Sequence, residues 1–240
     1  MYKLIVSGFD GVLIDSDEAI NMGTVMKIDN LRRNGEKFCV FTDRVLQDIL
    51  DYNRDFPFID YIIACSGTCL YDVNKEQIIL KKCLPINILK IIEKNFIDYD
   101  IYVSTSDKRF LFEDTLNTNI YKIEIECSKK KIALEIEKKL KSLNLDIKFW
   151  SQRKNTGYVV SIIAKDFDKG ILLKEICSLE KINLNEVIGI GGDIQDMSII
   201  KLVGMKVVVS NGPSSLKKVA DIITDSNNNK GVEKVLEQLF

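Results

Sequence analysis

The apolar and polar positions of the chain fall into two rhythms. Over residues 1–81 and 165–240, short unbroken apolar runs alternate with longer mixed stretches. The runs include Leu4-Ile5-Val6, Phe38-Cys39-Val40-Phe41, Tyr61-Ile62-Ile63-Ala64-Cys65 and Val187-Ile188. A run with no polar face predicts a strand buried on both sides of a parallel sheet. Helices are predicted between the strands. Ser16 or Asp17 caps the first, and Ile20, Met22, Met26, Ile28 and Leu31 form its apolar stripe before Asn34-Gly35 ends it. Another starts at Val45, and a third covers 171–179 after Asp168-Lys169-Gly170. Strand and helix alternate as βαβαβ, which predicts an α/β fold with a doubly wound, Rossmann-like sheet.

Residues 82–164 keep a different rhythm. Pro85 opens a helix with Ile88, Leu89, Ile91, Ile92 and Phe96 on one side. Short strands are predicted at 101–103, 110–112, 120–127, 147–150 and 158–163, the last after a turn at Asn155-Thr156-Gly157. A helix capped by Ser128 lies among them. The 120–127 run alternates strictly, Ile123 and Ile125 against Lys122, Glu124 and Glu126, so one sheet face is expected to be polar. The expected organisation is a core domain, 1–81 and 165–240, with a small α+β domain, 82–164, inserted into it.

Composition narrows the function classes. The chain is 46% hydrophobic and 29% charged, with a formal net charge of −1, so no overall field recruits nucleic acid or an anionic membrane. No apolar run approaches the roughly 20 residues that span a bilayer. The N-terminal run stops at Asp10, which makes a poor secretion signal. The six cysteines form no Cys-x-x-Cys, which fits free thiols in a cytoplasmic protein. Histidine is absent, so acid–base chemistry falls to carboxylates, Lys or Tyr.

Ligands of open α/β sheets sit beyond the carboxyl ends of the strands. Asp10 follows the first strand and is either part of a turn or a reacting carboxylate. Thr42 follows the second and either caps the next helix or offers its hydroxyl to an anion. Lys169 opposes the dipole of the helix it opens, and an ammonium aimed at the strand ends would neutralise an anionic oxygen. On the inserted segment, Lys108, Arg109, Arg153 and Lys154 are either solvated or face such an anion.

In order along the chain, these segments resemble the four motifs of the haloacid dehalogenase (HAD) superfamily, in its Cof-type branch (C2-capped, subclass IIB). Phe9-Asp10-Gly11-Val12-Leu13 matches the family's Asp-x-Asp-Gly-Thr/Val-Leu, with Gly8 at the position of the first Asp. Thr42 matches the second motif, with Asp43 where Thr-Gly-Arg has glycine. Ser66-Gly67 stands for Asn-Gly ahead of Leu70-Tyr71-Asp72, and Lys169-Gly170 matches the third motif. The fourth, Gly-Asp-x-x-Asn-Asp, falls on Gly191, Gly192, Gln195 and Asp196, with Asp193 one residue late. Asn211-Gly212 stands where the family has Asn-Ala.

The resemblance implies a HAD core with an inserted α+β C2 cap that covers the site and selects substrate. In the family the first Asp attacks phosphorus and the second protonates the leaving oxygen. Mg²⁺ is held by the nucleophile, by the second Asp's backbone carbonyl and by motif-four carboxylate. Here Gly8 supplies neither nucleophile nor ligand, and Gly192 removes another ligand. What remains by resemblance is Asp10 as a residual acid–base group, and Thr42, Lys169 and Asn211 as phosphate contacts. The Asp10 carbonyl, Asp196 and Asp193 remain as metal candidates, with Mg²⁺ weakly bound or absent. Glycine at position 8 is expected to leave a void large enough for water. The expected function is binding of phosphate, a small phosphorylated metabolite or a protein partner, without catalysis. The alternatives are a Mg²⁺-dependent phosphatase with a rearranged site, in which Asp10 activates water, and a structural interaction protein whose pocket is idle.

Overall fold

The computed structural model describes residues 2–54, 57–112, 119–151 and 157–240. In chain order the first elements are β1 (Leu4–Gly8), α1 (Met22–Arg33), β2 (Lys37–Phe41), α2 (Leu46–Arg54), β3 (Tyr61–Ala64), β4 (Cys69–Asp72) and β5 (Gln77–Lys81). Then come α3 (Ile86–Phe96), β6 (Ile101–Ser104), β7 (Arg109–Leu111), β8 (Lys122–Cys127), α4 (Lys130–Leu140), β9 (Leu145–Ser151) and β10 (Tyr158–Ala164). The last are α5 (Lys169–Glu180), β11 (Val187–Gly191), α6 (Met197–Ile200), β12 (Met205–Val209), α7 (Ser214–Lys217), β13 (Ile222–Thr224) and α8 (Gly231–Leu239).

The unbroken apolar runs become the middle of an eight-stranded sheet, ordered β13-β12-β11-β1-β2-β3-β4-β5. Strands β13 to β3 pair in parallel, and β3, β4 and β5 continue as an antiparallel meander. Every residue of β1, β3 and β11 is buried, because helices cover both faces. Ile28, Ile49 and Leu236 bring α1, α2 and α8 onto one face, and Leu172 and Ile176 bring α5 onto the other. Strand β1 lies between β2 and β11, which are far apart in sequence. The chain order therefore reverses at β1, and a crevice opens beyond its C-terminal end. Gly8, Thr42 and Gly192 all lie at that edge.

A second sheet, wholly antiparallel, has the order β7-β6-β8-β10-β9. Side chains of α3 and α4 pack with it into a separate apolar cluster that includes Ile92, Ile123, Ile125 and Ile136. The fold is thus α/β, a doubly wound Rossmann-like core with an inserted α+β cap.

Several local expectations need correction. Helix α1 begins after Asn21, whose side chain accepts from Gly23 N–H, and not after Ser16 or Asp17. Asp15 is the reason: its carboxylate accepts from the N–H groups of Asp17 and Ala19 and turns the chain there. The buried stripe of α1 is accordingly Thr24, Val25, Ile28 and Leu31, while Met26 is 69% exposed. Helix α4 starts from Lys129 without a side-chain cap, not from Ser128. The polar face of β8 is not solvated, since Lys122 and Glu124 are only 3% and 6% exposed. Lys122 Nζ donates to the Asp43 carbonyl at 2.8 Å and to Glu124 at 2.9 Å, so this face of the cap docks on the core. Arg153, Lys154, Asn155 and Thr156 lie outside the described residues.

Candidate functional site

Strand β1 ends at Gly8, and Phe9–Leu13 winds into one loose turn with Gly11 at φ 68°. A Cβ built on Gly8 would lie 3.0 Å from Val12 Cγ2, 3.3 Å from Phe41 Cε2 and 3.5 Å from Asp196 Oδ2. Val12, Phe41 and Asp196 thus stand close around the α-carbon, and beyond them Gly8 faces the cleft described below. Gly192 is tighter still. Its Cβ would meet Val12 Cγ2 at 2.7 Å and Val209 Cγ2 at 2.8 Å. The two valines have closed over the place where a side chain at 192 would begin.

Asp10 projects from the same turn. Arg44 grips its carboxylate, with Nε 3.0 Å and Nη2 2.7 Å from Oδ1 and Nε 3.2 Å from Oδ2. Arg44 lies over the rings of Phe9 and Tyr52, at 5.4 Å and 5.7 Å from their centroids, and 3.9 Å from Glu18. Thr42 Oγ1 accepts from the Arg44 N–H at 3.1 Å and donates weakly to Asp10 at 3.4 Å. Thr42 thus braces the loop that positions Arg44.

Lys169 opens α5, whose N-cap is Asp168. Gly67 fixes its place, because a Cβ on Gly67 would stand 2.3 Å from the Lys169 backbone nitrogen. The buried ammonium sits 3.2 Å from Asp43 Oδ1 and 3.5 Å from Asp196 Oδ1. Burial works against charging both carboxyls. For Asp43 the neighbouring Lys169 and Lys122 outweigh it and hold the group below the ordinary carboxylate range. For Asp196 burial wins over Lys169 and the backbone N–H groups of Gly192 and Asp193, and its pKa is raised. Lys169 itself is held above the ordinary lysine value: burial opposes its charge, but Asp43 and Asp196 prevail.

The candidates chosen on the core domain line one cleft between core and cap, with a volume of about 860 Å³, whereas Lys108 and Arg109 of the cap do not. Among the former are Gly8, Asp10, Thr42, Lys169, Gly192, Asp193, Asp196 and Asn211. The lining carries Asp10, Glu18, Asp43, Glu126, Asp193 and Asp196 against Arg44 and Lys169. Asn211 spends its amide on the loops, donating to the Gly11 carbonyl and accepting from Asn227 N–H. On the cap side, Arg109 pairs with Glu124 and Glu126. Lys108 lies over the Phe110 ring.

The donor set does not fit Mg²⁺, which takes about six oxygens in a near-octahedral shell. Positions 8 and 192 offer no carboxylate. Asp196 Oδ2 accepts from the N–H groups of Gly192 and Asp193, both at 2.9 Å, and Oδ1 faces Lys169. Asp193 caps the following turn by accepting from Gln195 N–H at 3.2 Å. Among the described residues, no three Cys, Asp or Glu side chains gather as a metal cage.

The sequence did not single out Arg44, Lys122 or Trp150 for this site. Arg44 had a signal in the Thr42-Asp43-Arg44 string, and Lys122 had one in the alternation of β8. Trp150 reaches the cleft from β9, which periodicity alone does not reveal.

The comparisons with known proteins agree with this architecture. The family profile described as haloacid dehalogenase-like hydrolase matches residues 5–115 and 91–236. A Haemophilus influenzae protein, provisionally named a phosphatase, is 26% identical over 100% of this chain and 99% of its own length. The phosphoglycolate phosphatase of Methanopyrus kandleri is 22% identical over 100% of this chain and 98% of its own length. The crystal structure of a haloacid dehalogenase-like hydrolase from Bacteroides thetaiotaomicron superposes with a TM-score of 0.86 at 20% identity, covering 100% of both chains. The chain belongs to the haloacid dehalogenase-like hydrolases, and its fold is that of the Cof-type, subclass IIB branch, which includes a sugar phosphatase.

Proposed function

We propose that this family member no longer performs phosphatase chemistry and instead binds a small phosphorylated molecule in the cleft between core and cap. The observation that carries the loss of catalysis is the packing at the two glycines. Gly8 supplies no oxygen to attack phosphorus, and Val12 and Val209 occupy the space that a side chain at 192 would need. Asp10 keeps its place, but its carboxylate is engaged by Arg44 where a general acid would have to reach a leaving oxygen. Support for a phosphorylated ligand comes from the named activity of the Methanopyrus kandleri relative and from the buried ammonium of Lys169 at the strand ends. Residues 82–164 act in this reading as a cap domain whose Glu126, Trp150 and Val159 close the cleft from above.

Binding and turnover can be read in one tube. Wild-type protein is incubated with a panel of sugar phosphates and phosphocarboxylic acids while its melting temperature and the ³¹P spectrum are followed. The expected result is a rise in melting temperature with at least one compound and no release of inorganic phosphate. Release of phosphate at an enzymatic rate would contradict the proposal.

A further inference from the structure

Asp43 replaces the glycine of the family's second motif, and the structure shows what its carboxylate does. Oδ1 is itself buried and points at Lys169 Nζ, 3.2 Å away, although the side chain as a whole is 32% exposed to the cleft. The main chain of the same residue is tied down from the other side, where Lys122 Nζ donates to its carbonyl at 2.8 Å. Cations thus hold Asp43 at both ends. The second carboxylate on Lys169, that of Asp196, is held by two backbone N–H groups.

An anionic oxygen within ion-pair distance of the Lys169 ammonium is the contact a phosphoryl oxygen would make there. We propose that Asp43 occupies the phosphate seat of this cleft and acts as a built-in competitor that a phosphorylated ligand must displace from Lys169. The inference rests on the ligand-binding reading above and adds the residue that sets its selectivity. A phosphate dianion that leaves Asp43 in place meets like charge, which costs most where water is excluded. A ligand able to enter must therefore supply contacts beyond its phosphate. The cleft offers Trp150, Val159 and Ile194 for them. Bare inorganic phosphate has none to offer and is discriminated against.

Calorimetric titration of inorganic phosphate and of glucose 6-phosphate into wild type, Asp43→Gly, Asp43→Asn and Asp43→Gly/Lys169→Met tests this. Circular dichroism first establishes that each variant is folded. Removing the carboxylate is expected to tighten inorganic phosphate by about tenfold or more. Asp43→Asn, which keeps the size but not the charge, gains in the same direction, and the double variant loses the gain. Affinities that are measurable in wild type and unchanged in Asp43→Gly overturn the role of Asp43 while leaving the ligand reading intact. No binding of either probe at millimolar concentration by wild type or by either Asp43 variant overturns both.

Discussion

At the scale of single residues, the two missing aspartates are not equivalent losses. Gly8 needs Val12 and Phe41 to give only a few tenths of an ångström to admit a Cβ, whereas at Gly192 two valine methyl groups stand inside contact distance. Gly192→Asp is accordingly expected to destabilise the fold by about 1–3 kcal/mol through overpacking, and Gly8→Asp by less, as urea denaturation of the two variants will read. Among the ionised groups, Asp60 is buried under Arg32, which meets its two oxygens at 2.9 Å each, with Phe38 N–H also donating. Burial alone would raise the Asp60 pKa, but these partners lower it. A carboxyl depressed in the folded state stabilises fully above its unfolded value and loses that contribution as pH falls through the folded one. Asp43 and Glu124 shift in the same direction, and Asp196 in the opposite one. The melting temperature should therefore fall steeply below about pH 4. Asp60→Asn should flatten that fall and, by stranding Arg32, cost about 3–5 kcal/mol at neutral pH. An unaltered acid limb in Asp60→Asn would remove Asp60 from the explanation. The sequence made the convergence of Asp10, Thr42, Lys169 and Asp196 legible, because each ends a strand or opens a helix in a recognisable order. It did not disclose their partners. Whether Lys169 faces solvent, a ligand or Asp43 depends on side-chain directions across loops distant in sequence.

At the scale of elements, what was legible followed burial. Strands covered on both faces write themselves as unbroken apolar runs, and β1, β3 and β11 were readable for that reason. Strand β5 was not, since it is the sheet's edge and its exposure pattern has no clear face. Strand β8 carried a correct alternation with an incorrect destination. Lys122 and Glu124 alternate with isoleucines as a solvated strand would, yet both are buried and bond to the Asp43 carbonyl and to Arg109 at the edge of the interface. Polar character does not distinguish water from a docked polar surface. This cluster is the tie between cap and core at the second motif. Lys122→Met should cost about 1–3 kcal/mol by leaving the Asp43 carbonyl and part of Glu124 without a donor. It should also speed amide hydrogen exchange at Gln47, whose N–H bonds across to Ser106 of the cap at 3.1 Å. Unchanged exchange there would mean that the tie lies elsewhere.

At the scale of the whole molecule, the fold and the chemistry separate. A doubly wound core places four loops around one cleft, and the inserted cap lines its other side. Fold alone does not fix activity, because the chemistry resides in the few side chains that the scaffold presents. Here those side chains form internal ion pairs: Arg44 with Asp10, and Lys169 with Asp43 and Asp196. Turnover separates a binding protein from an enzyme on this fold. The most direct measurement is the steady-state rate of hydrolysis of an aryl phosphate and a panel of sugar phosphates, with and without Mg²⁺, by wild type and Asp10→Asn. A positioned carboxylate acting on water contributes only about 10²–10⁴-fold, short of the 10⁶-fold or more of a working enzyme. The predicted result is wild-type hydrolysis at or near background, insensitive to Mg²⁺. Robust Mg²⁺-dependent hydrolysis by wild type, abolished in Asp10→Asn, would contradict it.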